Sequence, residues 1–192
     1  MQAQTAIVIL AGGRSTRLAG KLFNDFAGEP LIVRVFRNLS CGRPVCISVN
    51  GRLPPRIAAL LPCPKVRDRY PDSGPLGGLL SAAAAMRCDL IFAAAGDAPY
   101  LTSAFVDRLC ARWRAQDEAL VPEHAGCLQP LASLYQREAL IREGTQLLAG
   151  GAASLHQLIA RLRHRRLACA ERLPFDNVNT PRDYAAALRR MQ

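Results

Sequence analysis

The sequence predicts a three-layer α/β fold, in which a mostly parallel, doubly wound sheet carries helices on both faces. Short apolar runs, such as those at 6–10 and 89–95, alternate along the chain with segments of helical periodicity. Each of these two runs ends abruptly in glycine-containing loops. The length of 192 residues fits one domain, which we expect to span 1–192.

Strands are predicted where apolar residues run without interruption and are too few to form a helix. The run at 89–95 is rich in alanine, which suits a central strand that is closely covered on both faces. The predicted strands are 6–10, 44–49, 65–67, 89–95, 119–122, 129–135 and, at an edge of the sheet, 166–169.

Helices are predicted from apolar residues that recur at helical spacing and from residues that cap or end helices. Thr102 and Thr180 are expected to be N-caps, and Gly150 is expected to end a helix. His156 is expected on a helix surface. The predicted helices are 30–39, 54–61, 76–86, 103–114, 137–148, 154–162 and 182–191.

The loops after four predicted strands are expected to meet. In open parallel sheets, ligands bind beyond the carboxyl ends of the strands, near the point where the strand order reverses. These four loops begin at Ala11, Asn50, Asp68 and Gly96. The sequence therefore predicts a binding site at this edge of the sheet.

The first of these loops is rich in glycine and positive charge. Gly12 and Gly13 leave backbone N–H groups uncovered, and Arg14, Arg17 and Lys21 follow without an acidic residue. Such groups together favour phosphate binding. The spacing fits neither a P-loop nor a dinucleotide-binding fingerprint. Taken alone, the loop could equally be a solvated surface turn.

Acidic and amide side chains stand at the other strand ends. Asp97 follows an uncharged strand, and Thr102 is the better cap for the next helix, so Asp97 is the candidate metal ligand. Mg²⁺ is the expected ion, because it needs only one or two protein carboxylates beside phosphate and water. Asn50 is either a nucleotide contact or an ordinary turn residue. Asp68 is a further acid on the same edge that could also be an ordinary turn residue.

Two asparagines near the end of the chain form a further candidate pair. Asn177 and Asn179 are separated by one residue, so in an extended segment both side chains point the same way. A capping role is plausible for this pair, but Thr180 already meets that need.

Composition limits the functional classes. The formal net charge is +10, from 25 basic and 15 acidic residues. Because the basic residues are spread over the chain and aromatic residues are few, we expect an anionic small substrate and no nucleic acid. The densest basic cluster, 161–166, is interpreted as a solvated helix end that could attract an acidic partner protein.

The remaining features favour a cytoplasmic protein. No run reaches the ~18 apolar residues of a membrane span, and the N-terminus lacks the charged region of a signal peptide. The seven cysteines are scattered without zinc-finger spacing, so we do not expect a zinc site. Those in apolar settings, such as Cys46, Cys88 and Cys110, are expected to be small reduced thiols of the core.

Six segments together resemble the small nucleotidyltransferases with a Rossmann-like, glycosyltransferase-A-like fold, and most of all the molybdenum cofactor guanylyltransferases. They cover essentially the whole chain, and although each is weak alone, the set is specific. These segments are Leu10-Ala11-Gly12-Gly13-Arg14-Ser15-Thr16-Arg17-Leu18 with Lys21, Gly28-Glu29-Pro30-Leu31, Gly74-Pro75-Leu76-Gly77-Gly78, Gly96-Asp97-Ala98-Pro99-Tyr100, Gln129-Pro130-Leu131 and Asn177-Val178-Asn179-Thr180-Pro181.

The resemblance implies transfer of GMP from GTP to the phosphate of molybdenum-bound molybdopterin, with release of pyrophosphate. It also implies Mg²⁺ as the metal, and cofactor-supplying and cofactor-accepting proteins as partners. The residues that it implies for the nucleotide are Leu10, Ala11, Gly12, Gly13, Lys21, Asn50, Asp68 and Asp97. Those that it implies for catalysis are Arg17, Lys21 and Asp97, and those for the pterin substrate are Asn177 and Asn179.

One departure from the family pattern leaves alternatives open. The family usually has Arg-Met-Gly, a short spacer and Asp-Lys, whereas this loop reads Arg17-Leu18-Ala19-Gly20-Lys21 and lacks the acid. The first alternative is an enzyme for another base or acceptor, such as a cytosine dinucleotide or a sugar phosphate. The second is a nucleotide-binding or cofactor-binding chaperone that has lost turnover.

Overall fold

The structure, a computed structural model, describes residues 3–12, 20–70, 72–151 and 154–189, with the side chains of 21 and 181 excepted. It confirms the expected α/β class. The strands are β1 (Thr5–Leu10), β2 (Asp25–Phe26), β3 (Glu29–Pro30), β4 (Val45–Val49), β5 (Lys65–Arg67), β6 (Leu90–Ala95), β7 (Ala119–His124), β8 (Cys127–Leu128), β9 (Ala132–Gln136) and β10 (His164–Ala168). The helices are α1 (Leu31–Leu39), α2 (Pro55–Ala59), α3 (Gly74–Ala85), α4 (Ser103–Cys110), α5 (Arg137–Ala149), α6 (Leu155–Arg161) and α7 (Pro181–Arg189).

The main sheet has the strand order β10-β7-β9-β6-β1-β4-β5, with β8 paired to β7. Strand β1 is parallel to both of its neighbours, β4 and β6. Strand β9 is antiparallel to both β6 and β7, so the sheet is mostly parallel rather than wholly parallel. Because β1 is the first strand of the chain and lies between β4 and β6, its carboxyl end is near the point where the strand order reverses.

Alternate side chains of β1 face two separate apolar layers. Ile7 and Ile9 pack with α1, α2 and α4, whereas Val8 and Leu10 pack with α3, α5 and α6. All six residues of β6 are buried, as expected for the alanine-rich central strand. The sheet is therefore covered on both faces, which makes the fold three-layered.

Close helix packing is possible on the second face because one helix presents a glycine. A Cβ atom on Gly144 of α5 would lie 2.7 Å from a terminal carbon of Leu80 in α3. Helix α7 packs separately. Its Tyr184 meets Phe26 edge to face with ring centroids 5.4 Å apart, next to the buried Val178.

Several elements differ from the sequence-based predictions. Residues 129–131 form a turn instead of the start of a strand, because the carbonyl of Gln129 accepts hydrogen bonds from Ala132 N–H and the Ser133 hydroxyl, at 3.1 and 2.6 Å. Helix α4 ends at Cys110 and not near 114. The hairpin β2–β3 was not predicted, and it turns through two residues with positive φ, Ala27 and Gly28.

The basic cluster at 161–166 is mostly an edge strand and not the predicted helix end. Helix α6 stops at Arg161, and β10 begins at His164 and pairs with β7. Its arginines bind acids of β7 and of the residues just before it. These ion pairs are Arg163 with Glu118, Arg165 with Asp117 and Arg166 with Glu123.

Candidate functional site

The four predicted loops do meet at one edge of the sheet. Backbone hydrogen bonds tie them together just beyond the strands. Ala11 N–H donates to Ser48 O at 2.8 Å, and Gly96 N–H donates to Leu10 O at 3.0 Å. Asp68 N–H donates to Val49 O at 2.8 Å. The convergence expected from the strand alternation is therefore confirmed.

Gly12 and Asn50 are the closest pair across this edge. A Cβ atom built on Gly12 would lie only 2.1 Å from the Asn50 side-chain oxygen. Any larger residue at position 12 must therefore displace that amide. The glycine leaves a side-chain amide and an open stretch of backbone next to each other, beside Ala11 and the end of β1.

Asp68 accepts hydrogen bonds from its own loop and from helix α3. One of its carboxylate oxygens accepts hydrogen bonds from Tyr70 N–H at 2.8 Å and from the Ser81 hydroxyl at 3.1 Å. The Ser81 oxygen also accepts a hydrogen bond from Arg69 N–H at 2.9 Å. Asp68 therefore has the turn role considered for it. A contact between Asp68 and a nucleotide stays a prediction, and it would use the second carboxylate oxygen.

Helix α3 begins against this loop because it carries adjacent glycines. A Cβ on Gly77 would lie 2.8 Å from Tyr70 O, and one on Gly78 would lie 2.8 Å from the Ser48 hydroxyl oxygen. Both distances are below what a real Cβ tolerates. The pair Gly77-Gly78 in the sequence motif therefore serves close packing of α3 against the ends of β4 and β5.

Asp97 lies at the carboxyl end of β6, one residue beyond Gly96, and is half-buried. Its backbone carbonyl accepts a hydrogen bond from Val178 N–H at 2.9 Å. Val178 is almost fully buried, whereas Asn177 and Asn179 on either side are exposed. The two asparagines therefore point away from the core together, as predicted, and their segment is fixed directly to the backbone of Asp97.

Part of the predicted phosphate-binding loop lies outside the described residues. Gly13 and Arg17 lie outside the described residues, as does Arg14. Lys21 opens a short 3-10 helix, Lys21–Phe23, but its side chain is not among those described. The described residues include Leu10, Ala11 and Gly12, which form the part of the site at the end of β1.

A cavity of about 410 Å³ adjoins this edge. Ala98, the residue after Asp97, lines it, and so does Asn177. Most of its wall is apolar and comes from five stretches that are distant in sequence. The lining includes Gln129, Pro130, Ser154, His156, Phe175 and Asn177.

The ring of Phe175, which forms part of the cavity wall, packs against two other rings. The ring of Phe175 packs edge to face on Phe105 at 5.7 Å between centroids, and lies 5.8 Å from the ring of His124. Just before this segment, Glu171 accepts two hydrogen bonds from Arg108 of α4, at 2.9 and 2.6 Å. The sequence did not indicate this cavity, because its lining comes together only in the folded sheet.

The donor set at this edge fits an ion that takes few protein ligands. Within the described residues, no group of three or more His, Cys, Asp or Glu side chains could hold a metal ion. Asp97 offers a half-buried carboxylate at the open end of a strand. Mg²⁺ is commonly held in this way, by one or two carboxylates, substrate phosphates and water. The residues present therefore fit Mg²⁺ rather than zinc.

All seven cysteines lie in the described ranges, and all are free thiols. Burial raises the pKa of the Cys46 thiol to about 11, so this thiol stays protonated at neutral pH. None of the helices in the described ranges has both the length and the apolar composition required to cross a membrane.

Known proteins resemble this chain along nearly its whole length. A family model described as "MobA-like NTP transferase domain" matches residues 7–167. Molybdenum cofactor guanylyltransferase of Cereibacter sphaeroides is 33% identical over 187 residues, which are 94% of this chain and 93% of that protein. The protein of the same name from Xanthomonas euvesicatoria pv. vesicatoria is 30% identical over 190 residues, which are 93% of this chain and 91% of that protein.

A solved structure supports the fold. The molybdopterin-guanine dinucleotide biosynthesis protein A from Archaeoglobus fulgidus superposes with a TM-score of 0.83 at 20% sequence identity. The superposition covers 97% of this chain and 98% of the other. At that identity, the similarity concerns the fold and not the substrates.

Proposed function

Because the chain belongs to the MobA-like NTP transferase family, we propose that it transfers GMP from GTP to the phosphate of molybdenum-bound molybdopterin. In this reaction an oxygen of the acceptor phosphate attacks the α-phosphorus of GTP. The bond from that phosphorus to the oxygen bridging it to the β-phosphate breaks, and pyrophosphate leaves. The product is the molybdopterin guanine dinucleotide cofactor.

The observation that carries the proposal is the shared edge of the sheet. The Gly12–Asn50 pair lies at one part of this edge, and Asp97 lies at the end of β6. The segment with Asn177 and Asn179 is bonded to the Asp97 backbone, next to a cavity. An open strand edge beside a cavity suits a reaction that joins two substrates, since catalysis here depends mostly on positioning.

The proposed nucleotide site comprises the end of β1 and the two following strand ends. Leu10, Ala11, Gly12 and Gly13 would lie along the guanine base, with Asn50 and Asp68 as side-chain contacts. The amide of Asn50 can both donate and accept a hydrogen bond. A base that leaves such groups unpaired costs ~1–3 kcal/mol per group, so we expect GTP to be preferred to CTP and ATP.

The proposed catalytic groups are Asp97, Lys21 and Arg17. Asp97 would hold Mg²⁺, which when bound offsets negative charge on the phosphates. Lys21 and Arg17 would place positive charge near the nucleotide phosphates, where charge develops on the leaving group. Asn177 and Asn179 would contact the pterin substrate from the cavity side of Asp97.

The test is a competition between nucleotides. The protein is incubated with Mg²⁺, molybdenum-loaded molybdopterin and equal concentrations of GTP and CTP, and pyrophosphate and the dinucleotide products are measured. We expect pyrophosphate release and guanine dinucleotide in excess by on the order of 10²-fold, from two mismatched groups. Equal or greater cytosine incorporation would overturn the base assignment. Binding of both substrates without pyrophosphate would favour the non-catalytic chaperone instead.

A further inference from the structure

The cavity beside Asp97 has an unusual lining for a protein that handles phosphates. Among the described residues that line it, none is Lys, Arg, Asp or Glu. The wall is formed largely by proline, leucine and alanine residues with the Phe175 ring. His156 is the one imidazole in the described lining. A phosphate group would find no fixed cation among the described residues of this lining.

His156 is presented to the cavity by a rigid helix start. Ser154 is the N-cap of α6, and its hydroxyl accepts a hydrogen bond from Gln157 N–H at 3.2 Å. The Gln157 side chain returns the contact by accepting a hydrogen bond from Ser154 N–H at 2.8 Å. Leu155 is buried beneath, while His156 itself is exposed. The backbone that carries the imidazole is therefore held on two sides.

The chain has three histidines, and they differ in their partners. The Nδ1 atom of His124 lies 3.0 Å from Cys169 O, and that of His164 lies 3.2 Å from Leu162 O. His156 has no hydrogen bond to any residue in the described ranges. Its imidazole can therefore use both ring nitrogens toward a ligand, one as donor and one as acceptor when neutral.

The other polar side chains of the cavity are partly occupied. The Ser154 hydroxyl oxygen serves the helix cap. The Gln129 amide nitrogen donates to Cys127 O at 3.2 Å. His156 and Asn177 thus offer the main hydrogen-bonding capacity of the described lining, and they come from separate segments of the chain.

We propose that His156 is a specificity residue for the acceptor substrate, and that it hydrogen-bonds the edge of a neutral planar heterocycle in this cavity. The acceptor would then lie with its ring inside and its phosphate outside, because the described lining offers hydrogen bonds and apolar contact but no fixed cation. Its phosphate is thereby directed to the neighbouring edge that carries Asp97. This inference rests on the proposed function, since it assigns the acceptor of that reaction to this cavity.

The experiment compares His156→Ala and His156→Gln with wild type, and uses His164→Ala as the matched control. For His156→Ala we expect KM for the molybdopterin acceptor to rise about ten-fold, with kcat and KM for GTP little changed. His156→Gln should recover part of the loss, because an amide can also donate and accept. His164→Ala should leave both KM values unchanged, because His164 is the first residue of β10 and is not among the described residues that line the cavity.

Direct binding gives a second readout. The affinity of each variant for molybdopterin without nucleotide is titrated by the fluorescence of the pterin, and melting temperatures check the fold. An unchanged acceptor affinity in His156→Ala would overturn the inference, as would an equal loss of GTP affinity. If wild type binds molybdopterin but forms no dinucleotide, the proposed function fails, while the titration still decides the role of His156.

Discussion

The chemistry proposed for this edge depends on two small features, the carboxylate of Asp97 and the missing side chain of Gly12. Asp97 contributes its carboxylate from the end of a buried strand and its carbonyl to the segment of Asn177. Gly12 contributes the absence of a side chain next to Asn50. The first can therefore be tested by removing charge and the second by adding one carbon.

Asp97→Asn should abolish most of the transfer activity while the fold is kept. The change keeps the size of the side chain but removes the negative charge proposed to hold Mg²⁺, and we expect kcat to fall on the order of 10²-fold or more. Asp89→Asn is the control, because Asp89 precedes the same strand at its opposite end and is exposed. Near wild-type turnover of Asp97→Asn at saturating Mg²⁺ would refute the assignment.

Gly12→Ala should weaken GTP binding with little loss of stability. The new methyl group would meet the Asn50 oxygen, which can rotate away because it ends a flexible side chain. Losing that contact should cost on the order of ten-fold in affinity, and Asn50→Ala should do the same. The control is Gly51→Ala, since a Cβ there meets nothing within 4 Å. GTP titration of the variants decides, and an unchanged affinity in Gly12→Ala would exclude Asn50 as a contact.

At the scale of single elements, the sequence was informative where a pattern is local. The strand 65–67 was predicted with its observed bounds, and Thr102 caps α4 as expected, with its hydroxyl accepting from Phe105 N–H at 3.3 Å. The turn at 129–131 escaped prediction because side-chain hydroxyls of the following strand bond its carbonyls, including that of Tyr135 to Pro130 O, and such bonds leave no periodic pattern in the sequence. The cavity escaped prediction because its lining comes from segments that are distant in sequence, although His156 was correctly expected on a helix surface.

The start of α7 links a helix cap to the proposed substrate site. The Thr180 hydroxyl accepts a hydrogen bond from Asp183 N–H at 3.2 Å, and the Asp183 carboxylate accepts from Thr180 N–H at 2.8 Å and Asn179 N–H at 3.1 Å. These bonds, that of Thr180 foremost, hold the pKa of Asp183 below its usual value. The cap therefore also fixes the backbone of Asn179.

Thr180→Ala should raise KM for the acceptor without changing KM for GTP. The loss of the cap costs about 1 kcal/mol and loosens the segment that carries Asn177 and Asn179. Thr102→Ala removes an equivalent cap from α4 and should cost similar stability without the same effect on the acceptor. Steady-state kinetics with each substrate varied in turn separates the two. Equal kinetic effects of the two variants would mean that lost stability alone is responsible.

At the scale of the whole molecule, the excess of positive charge is organised rather than uniformly solvated. Asp117 and Glu118, the two residues just before β7, are buried acids, and the side chains of Arg142, Arg163 and Arg165 pair with them. The sequence showed the arginine cluster but not its partners, because the acids lie more than 40 residues earlier in the chain. These pairs attach the edge strand β10 to the rest of the sheet.

We expect the carboxyl group of Glu118 to make the stability of the fold depend on pH. Its carboxylate accepts hydrogen bonds from Arg163 N–H at 2.9 Å and from the Arg142 side chain at 3.0 Å. These contacts, the backbone one first, lower the pKa of Glu118. A carboxyl with a lowered pKa stabilises the fold at pH values above its unfolded pKa, which is ~4.3. That stabilisation is lost as pH falls through the lower, folded pKa.

Glu118→Gln should therefore reduce the free energy of unfolding at pH 7 by about 1–3 kcal/mol, because a neutral amide accepts these bonds more weakly. The difference from wild type should shrink as the pH falls below ~4, where the wild-type carboxyl becomes protonated as well. Urea unfolding between pH 3.5 and 7 measures this without adding salt. Glu171→Gln is the control, because Glu171 pairs with Arg108 on the exposed surface, where solvent screens the interaction. If wild type and Glu118→Gln lose stability in parallel over this pH range, the acid sensitivity arises elsewhere and Glu118 contributes through packing alone.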